Sequence, residues 1–298
     1  MHQSVLLKEV LAGLAPAPGK TIVDGTLGTA GHAQAILRKL GPSGRLIGFD
    51  KDPKALEGAK KVLEEFGDRV MIFHDDFKNI AARLREREVS AVEGILLDLG
   101  VSSAQLDEAE RGFSFRKDGP LDMRMNPEDT LTAEEIVNTY PEEKLAEILK
   151  SYGEERYARR IATKIAYTRK REKIRTTGQL SSLVFSAVPS SYRYGWLHPA
   201  TRTFQAFRIA VNKELEALRN FLEEAPDLLA DGGRLVIISF HSLEDRIVKT
   251  AFRELAKKGL GRILTKKPVV PEEEETRANP RARSAKMRIF EKAKEQNG

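Results

Sequence analysis

The stretch that decides the fold is Thr21-Ile22-Val23-Asp24-Gly25-Thr26-Leu27-Gly28-Thr29-Ala30-Gly31-His32. A short apolar run rich in β-branched residues ends in an acid, three evenly spaced glycines follow, and an amphipathic helical pattern begins directly after them. This order predicts a strand, a tight turn and the start of a helix. Glycines let a backbone approach a ligand closely, and the first amides of a helix have no intrahelical acceptor. The stretch therefore predicts a nucleotide-binding loop.

The spacing of the glycines and the acid before them favour one ligand class. A dinucleotide-binding loop reads G-x-G-x-x-G, with the pyrophosphate at the helix N-terminus. Here the spacing is G-x-x-G-x-x-G, and Asp24 precedes the first glycine. A carboxylate at that place repels a pyrophosphate and suits a ligand with positive charge. S-adenosylmethionine carries a sulfonium and an ammonium group, so the loop favours it over NAD. The alternative is an ordinary strand-to-helix turn whose glycines serve geometry alone.

A second predicted strand, Arg45–Asp50, ends in another acid. Asp50 follows Gly28 by about 20 residues, the interval at which a strand-end carboxylate meets ribose hydroxyls in doubly wound folds. A helix cap is the other role open to an acid at this place. The third strand, Val70–His74, runs into Phe77, whose ring is a candidate to stack on adenine and equally a candidate for the core.

The fourth predicted strand, 94–97, delivers Asp98. Ligands of open α/β sheets bind outside the carboxyl ends of the strands. We therefore expect Asp24, Asp50, Phe77 and Asp98 to face one crevice.

The alternation of strands and helices stops at about Gln105 and returns after His198. Helix starts with capping-box patterns at Thr132 and Thr176 indicate an inserted helical domain. After it we expect a long helix over 199–222, a turn over 230–233, a strand over 234–240, a helix capped from Ser242, and two last strands. The two last strands are predicted over 261–267 and 286–292. The nucleotide-binding domain is predicted to comprise residues 1–106 and 199–298, and the insertion residues 107–198.

One predicted helix of the insertion, 154–172, is strongly basic and carries Tyr157 and Tyr167. Basic side chains interleaved with aromatic ones are typical of nucleic-acid surfaces, although a charge run is also what a solvated helix face shows. A second basic segment lies near the C-terminus. The candidates for contact with a nucleic-acid backbone are Arg159, Arg160, Arg169, Lys170, Arg281 and Arg283.

Composition sets outer bounds on the function. The 298 residues are 41% hydrophobic, and the apolar runs are too short to span a bilayer, which favours a soluble cytoplasmic protein. The chain has no cysteine, which excludes disulfides and thiolate metal sites, and its five histidines form no H-E-x-x-H pattern, so we expect no metal site. A net charge of +6 permits a polyanionic partner.

Taken as a whole, the chain resembles the bacterial small-subunit ribosomal RNA cytosine-N4 methyltransferases, the family known as RsmH or MraW. The family usually has further glycines where this chain has Thr29 and Ala30. Because alanine adopts positive φ only at a cost of ~1 kcal/mol, we expect ordinary dihedrals there. The resemblance rests on motifs spread over the whole chain: 2–10, 24–32, 111–115, 121–125, 152–156, 198–205, 240–246 and 279–285.

The resemblance implies a doubly wound, mostly parallel, Rossmann-like α/β sheet of the class I S-adenosylmethionine-dependent methyltransferases, with the all-helical insertion. It implies methylation of the N4 amino group of a cytosine in the decoding region of 16S ribosomal RNA, with the small subunit as substrate. The oligomeric state stays open between monomer and homodimer. The implied cofactor contacts are Ala30, Gly31, His32, Asp50, Phe77, Asp98 and Gln105, of which Ala30, His32 and Gln105 rest on the resemblance alone.

The chemistry makes Asp98 the candidate catalytic residue. Cytosine N4 is a poor nucleophile because its lone pair is delocalised into the ring, and a carboxylate that accepts one N4 hydrogen localises that pair. Asp98 has a competing role, a bond to the ammonium group of the cofactor. A DNA amino-methyltransferase would use similar chemistry, but the proline pair typical of that class is absent from Asp98-Leu99-Gly100-Val101. A catalytically silent RNA-binding module of ribosome assembly is a further alternative, and an NAD oxidoreductase is the weakest.

Overall fold

The computed structural model describes residues 4–294, which form two compact units. Unit 1 combines the residues up to Gly100 with those from Leu215 onward, and unit 2 is Val101–Glu214.

The secondary structure alternates in unit 1 and is helical in unit 2. The strands are β1 (Thr21–Asp24), β2 (Arg45–Asp50), β3 (Val70–His74), β4 (Val92–Asp98), β5 (Leu229–Ser239), β6 (Gly261–Ile263) and β7 (Lys286–Lys292). The helices are α1 (Leu7–Leu14), α2 (Gly31–Leu40), α3 (Pro53–Leu63), α4 (Ile80–Glu86), α5 (Ser103–Asp107), α6 (Ala133–Thr139), α7 (Glu142–Gly153), α8 (Ala158–Thr168), α9 (Thr177–Ala187), α10 (Ser190–Arg193), α11 (Ala200–Asn212), α12 (Glu214–Leu228), α13 (Ser242–Lys257) and α14 (Glu273–Ala278). Short 3₁₀ turns lie at Glu64–Arg69, Phe77–Asn79, Ala109–Arg111 and Pro280–Ser284.

The strands of unit 1 form one sheet in the order β3-β2-β1-β4-β5-β7-β6. The pairs from β3 to β5 are parallel, and β7 runs antiparallel to both β5 and β6. This topology confirms the predicted doubly wound, mostly parallel fold. The strand order reverses direction at β1, so the carboxyl ends of β1, β2 and β4 meet at the position where such sheets bind their ligands.

Both faces of the sheet are buried by helices. On β4, Leu96 belongs to the core formed with α1, α2 and α3, while Ile95 and Leu97 belong to the core formed with α4, α12 and α13. All three side chains are fully buried. A strand covered on both faces needs apolar residues at successive positions, which explains why these strands are continuous apolar runs.

Unit 2 has a hydrophobic core of its own. Helix α7 packs against α8 and α11, and Phe204 and Phe207 of α11 are buried in this core. The sequence-based boundaries at 107 and 198 lie inside unit 2, because α11 and Leu106 of α5 pack with its core. None of the helices in the described part of the chain combines the length and the apolar character that crossing a bilayer requires.

Several predicted elements have different bounds in the structure. The helix predicted over 199–222 is wrong as one piece, since α11 and α12 are separated at Lys213, whose φ is 50°. The helix predicted over 154–172 is shortened to α8 because Glu154, with φ 47°, ends α7 instead. The predicted turn over 230–233 lies within β5, and the strand predicted over 261–267 ends at Ile263.

Candidate active site

Two residues of the loop between β1 and α2 adopt the left-handed backbone conformation. Gly28 has φ 51° and Ala30, the N-cap of α2, has φ 62°. The expectation of ordinary dihedrals at Ala30 is therefore wrong. The Ala30 N–H donates to the Leu27 carbonyl at 2.7 Å, and the alanine methyl is fully buried in the core beside α2. Burial of that methyl group offsets the strain of the positive φ.

Asp50 ties this loop to the end of β2. Its Oδ2 accepts the Gly28 N–H at 2.8 Å, and its Oδ1 accepts the Asp52 N–H at 2.9 Å. Asp52 is the residue that caps α3, since its Oδ1 accepts the Lys54 N–H at 3.0 Å. Burial raises the pKa of Asp50. The helix-cap role considered for Asp50 thus belongs to Asp52, while Asp50 fixes the loop through its carboxylate.

Asp24 and Asp98 are linked through one threonine. The Asp24 Oδ1 accepts the Thr26 N–H at 3.2 Å, and the Thr26 Oγ1 accepts the Asp98 N–H at 2.6 Å. Asp24 is 1% exposed, and burial raises its pKa to about 7, with a further contribution from the nearby Asp50 carboxylate. The ends of β1 and β4 therefore bring two carboxylates into one small volume.

Asp98 lies at the end of β4 beside His32. The His32 Nδ1 is 3.8 Å from the Asp98 Oδ2, and the His32 Nε2 lies 2.9 Å from the Val5 carbonyl. A carbonyl only accepts hydrogen bonds, so we assign a proton to Nε2, which donates it to the Val5 carbonyl. The sequence by itself gives His32 no role beyond its place at the helix start.

The surroundings of the Asp98 carboxyl shift its pKa strongly. Its Oδ1 is buried and has no hydrogen-bond partner among residues 4–294. Burial raises the pKa of Asp98 to about 8, and the carboxylates of Asp24 and Glu244 add to the rise. An acceptor oxygen held without a donor, among other carboxylates, suits a cationic or hydrogen-donating ligand.

Glu244 is a member of this cluster that the sequence analysis does not single out. It is 2% exposed, and its Oε2 accepts the N–H groups of Phe240 at 2.8 Å and His241 at 3.4 Å. His241, rather than Ser242, is the N-cap of α13. The signal that identifies Glu244 is its place, three residues into a helix that follows a buried strand of the same sheet.

Three predicted cofactor contacts remain, of which Gly31 is the first residue of α2, and Phe77 and Gln105 lie in different surroundings. Phe77 is half-buried, packs edge-on against Phe221 with ring centroids 5.9 Å apart, and lies beside the loop, since a Cβ at Gly25 would be 3.2 Å from its Cβ. Gln105 belongs to unit 2, where its Oε1 accepts the Ser102 N–H at 2.9 Å in the capping box of α5. The structure places Asp24, Asp50 and Asp98 at the carboxyl ends of β1, β2 and β4, and Phe77 in the 3₁₀ turn that follows β3. Their contact with a cofactor stays a prediction.

The predicted nucleic-acid contacts divide into exposed and structural residues. Arg169 is half-buried and donates to the Val137 carbonyl at 2.8 Å, so it holds α8 to α6. The guanidinium group of Arg160 lies 5.9 Å from the centre of the Tyr157 ring. The remaining candidates are exposed on α8, just after it, or on the turn Pro280–Ser284: Arg159, Arg160, Lys170, Arg281 and Arg283.

Within the part of the chain that the structure describes, no group of three or more histidine, aspartate or glutamate side chains is arranged to hold a metal ion.

The comparisons with known proteins agree on one family. Residues 1–293 match the model of the MraW methylase family. The chain is 51% identical to the ribosomal RNA small subunit methyltransferase H of Heliobacterium modesticaldum, over 98% of both chains. It is 51% identical to the protein of the same name from Synechococcus elongatus, over 98% of this chain and 94% of that one. It is 46% identical to that of Clostridioides difficile, over 98% of both chains.

Proposed function

The chain belongs to the MraW methylase family, and on that premise we propose that it methylates the N4 amino group of a cytosine in the decoding region of 16S ribosomal RNA. The methyl donor is S-adenosylmethionine, and the substrate is the small ribosomal subunit in the cytoplasm. The observation that carries the proposal is the cluster of buried carboxylates at the carboxyl ends of β1 and β4.

The residues present at these strand ends fit the cofactor. S-adenosylmethionine supplies an electrophilic methyl group on a positively charged sulfonium. Burial is the main cause of the raised pKa values of Asp24, Asp50 and Asp98, which means that the protein alone stabilises their charged forms poorly. A positive ligand restores the charged form of these carboxylates. These carboxylates would repel the negatively charged pyrophosphate of NAD, which disfavours that cofactor.

Each predicted contact then has a specific task. The N-terminus of α2 at Gly31 and His32 offers backbone N–H groups to polar groups of the cofactor. The Ala30 N–H already donates to the Leu27 carbonyl, so Ala30 is included on the family resemblance. Each carboxylate oxygen of Asp50 accepts one backbone N–H and keeps a lone pair for a ribose hydroxyl. Phe77 offers a ring to the adenine. Gln105 is included on the family resemblance.

In the proposed mechanism Asp98 acts on the nucleophile. In its charged form it accepts one N4 hydrogen, which localises the nitrogen lone pair. With bound S-adenosylmethionine as the source of the methyl group, Asp98 would take the proton that N4 loses on methylation. A carboxyl whose pKa is raised toward neutrality is a better proton acceptor than an ordinary aspartate. Because the N4 of a paired cytosine is engaged within the helix, the target base must leave its stack.

The experiment that tests this function is tritiated methyl transfer to small subunits isolated from cells that lack the protein. We expect label in N4-methylcytidine after nucleoside analysis. Single-stranded and duplex DNA serve as parallel substrates, and label in DNA alone would favour a DNA amino-methyltransferase. Measurable cofactor binding with no transfer to any substrate would favour the silent assembly module.

Asp98→Asn separates the two roles of Asp98. If the carboxylate accepts the N4 proton, the single-turnover rate falls by about 10²- to 10⁴-fold while the cofactor dissociation constant stays within about twofold. A large rise in that constant with a normal single-turnover rate would assign Asp98 to the cofactor ammonium instead.

A further inference from the structure

The loop between α10 and α11 exposes two aromatic rings. Tyr194 is 82% exposed and Trp196 is 83% exposed, and Leu197 beside them is 43% exposed. Trp196 is also the single tryptophan of the chain. Large rings are usually placed where they bury apolar area. Two of them left in solvent within three residues indicate a contact surface for a partner.

A packed aromatic layer supports these rings. The His198 ring stacks on Phe115 with centroids 4.5 Å apart, and Phe185 lies 6.4 Å from His198 on a nearly parallel plane. Tyr194 meets the Phe185 ring edge-on at 6.2 Å. The packed aromatic side chains therefore support the loop that carries the exposed rings. A cavity of about 190 Å³, lined in part by Trp196 and His198, lies at the same place.

The charged side chains that the loop segment itself contributes are basic, while the buried Glu155 of another segment accepts the Tyr192 hydroxyl at 3.0 Å. No acidic residue occurs between Glu172 and Glu214. The guanidinium group of Arg193 lies 5.2 Å from the centre of the Phe185 ring and donates to the Val188 carbonyl, and that of Arg202 donates to the Glu154 carbonyl at 2.9 Å. These carbonyl groups orient the two guanidinium groups and, being uncharged, do not neutralise them. Exposed rings beside oriented cations suit a ligand with flat faces and negative charge.

We propose that Tyr194 and Trp196, with Arg193 and Arg202 beside them, form a stacking platform for unpaired bases of the substrate RNA. Proteins bind single-stranded RNA by stacking splayed bases on aromatic rings while basic side chains follow the phosphates. The identification of the ligand as substrate RNA rests on the proposed function. All residues of the platform belong to unit 2, and the carboxylates of Asp24, Asp50 and Asp98 belong to unit 1.

The single tryptophan makes the platform directly observable, because the tryptophan fluorescence of the intact protein reports on this loop alone. We expect that a single-stranded RNA fragment of the 16S decoding region quenches the emission in a saturable way. In a blunt RNA duplex of the same length the bases are paired and stacked on one another, so we expect it to leave the emission nearly unchanged. Unchanged emission at RNA concentrations where filter binding is saturated would overturn the proposal.

Matched variants test the same platform by affinity. For Trp196→Ala we expect the dissociation constant for the single-stranded fragment to rise about fivefold to a hundredfold, while Trp196→Phe stays within about threefold of the natural chain. Met71→Ala removes an apolar side chain that is 37% exposed in unit 1 and serves as the control. Cofactor affinity and thermal stability of the two Trp196 variants should stay close to those of the natural chain, because Trp196 is 83% exposed. A dissociation constant within twofold of the natural value for Trp196→Ala would overturn the proposal.

These measurements separate the platform from the proposed function. If small subunits receive no methyl group but RNA affinity depends on Trp196, the proposed function fails and the platform stands. If methyl transfer proceeds and RNA affinity ignores Trp196, the platform fails alone. Weaker binding of Trp196→Ala to small subunits, with unchanged binding to naked RNA, would assign the loop to a protein partner and overturn the RNA assignment.

Discussion

Asp98 shows how much of the site a single sequence can predict. Its place at the end of a buried strand follows from the apolar run before it, and the same reasoning identifies Asp24 and Asp50. The raised pKa of Asp98 does not follow from sequence, because burial is its main cause and the carboxylates of Asp24 and Glu244, which add to it, lie far away along the chain. Ala30 marks a second limit, since its positive φ depends on tertiary burial of a methyl group that no local rule anticipates.

The raised pKa values of Asp98 and Asp24 predict that the cofactor-free protein loses stability as the pH rises. Between about pH 4 and pH 8 the folded chain holds protons on these carboxyls that the unfolded chain has released. The free energy of unfolding therefore falls with increasing pH, by about 1.4 kcal/mol per pH unit for each carboxyl protonated only in the folded state. Urea unfolding at a series of pH values measures this slope.

Asp98→Asn removes one of these titrations, so its slope between pH 5 and pH 8 should be shallower and the variant should be more stable than the natural chain at pH 8. Asp75→Asn is the matched control. The side chains of Asn79 and Arg83 hold the pKa of Asp75 below its usual range, so that group affects the slope only at acid pH. An unchanged slope for Asp98→Asn would contradict the assignment of a raised pKa to this carboxyl.

At the scale of elements, the buried strands are predictable and the helix junctions are not. Strands β2, β3 and β7 have the predicted bounds. β2 and β3 are short apolar runs, and β7 is marked by apolar residues between charged ends. The break between α11 and α12 has no glycine or proline at Lys213 to signal it. The Arg208 guanidinium makes two hydrogen bonds of 2.9 Å to Glu214 across this break, a tertiary arrangement that helical periodicity does not reveal.

Lys213 supplies the prediction for this junction. It is exposed, has φ 50°, and its N–H donates to the Ile209 carbonyl as a helix C-cap. Glycine adopts this conformation without steric strain, so Lys213→Gly should raise the free energy of unfolding by about 0.5–1 kcal/mol. Lys213→Ala loses the same charge and keeps the strain, and should leave stability nearly unchanged. A glycine variant less stable than the alanine variant in chemical denaturation would argue against a strained cap.

At the scale of the whole molecule, the two units have separate cores. The core of unit 2 is drawn from residues between Phe113 and Val211, and the sheet cores of unit 1 are drawn from the segments on either side of unit 2. We therefore expect residues 101–214, expressed alone, to give a helical circular dichroism spectrum and one cooperative thermal transition. A helical spectrum without a cooperative transition would show that this core depends on unit 1 for its packing.

The net charge of +6 indicates a nucleic-acid contact only where basic side chains lie together on one surface. If Arg159 and Arg160 on α8 neutralise phosphates, reversing both to Glu should weaken small-subunit binding and reduce the slope of log affinity against log salt by roughly 0.7–0.9 for each phosphate that is no longer neutralised. The pair Arg253→Glu and Lys257→Glu on α13 changes the net charge equally and is the matched control, since both side chains are exposed in unit 1. Arg169 is left intact because its guanidinium bonds the Val137 carbonyl. An equal reduction of the slope in both double variants would mean that the subunit responds to the overall field of the protein. A reduction confined to the α8 pair would place ribosomal RNA phosphates on that helix.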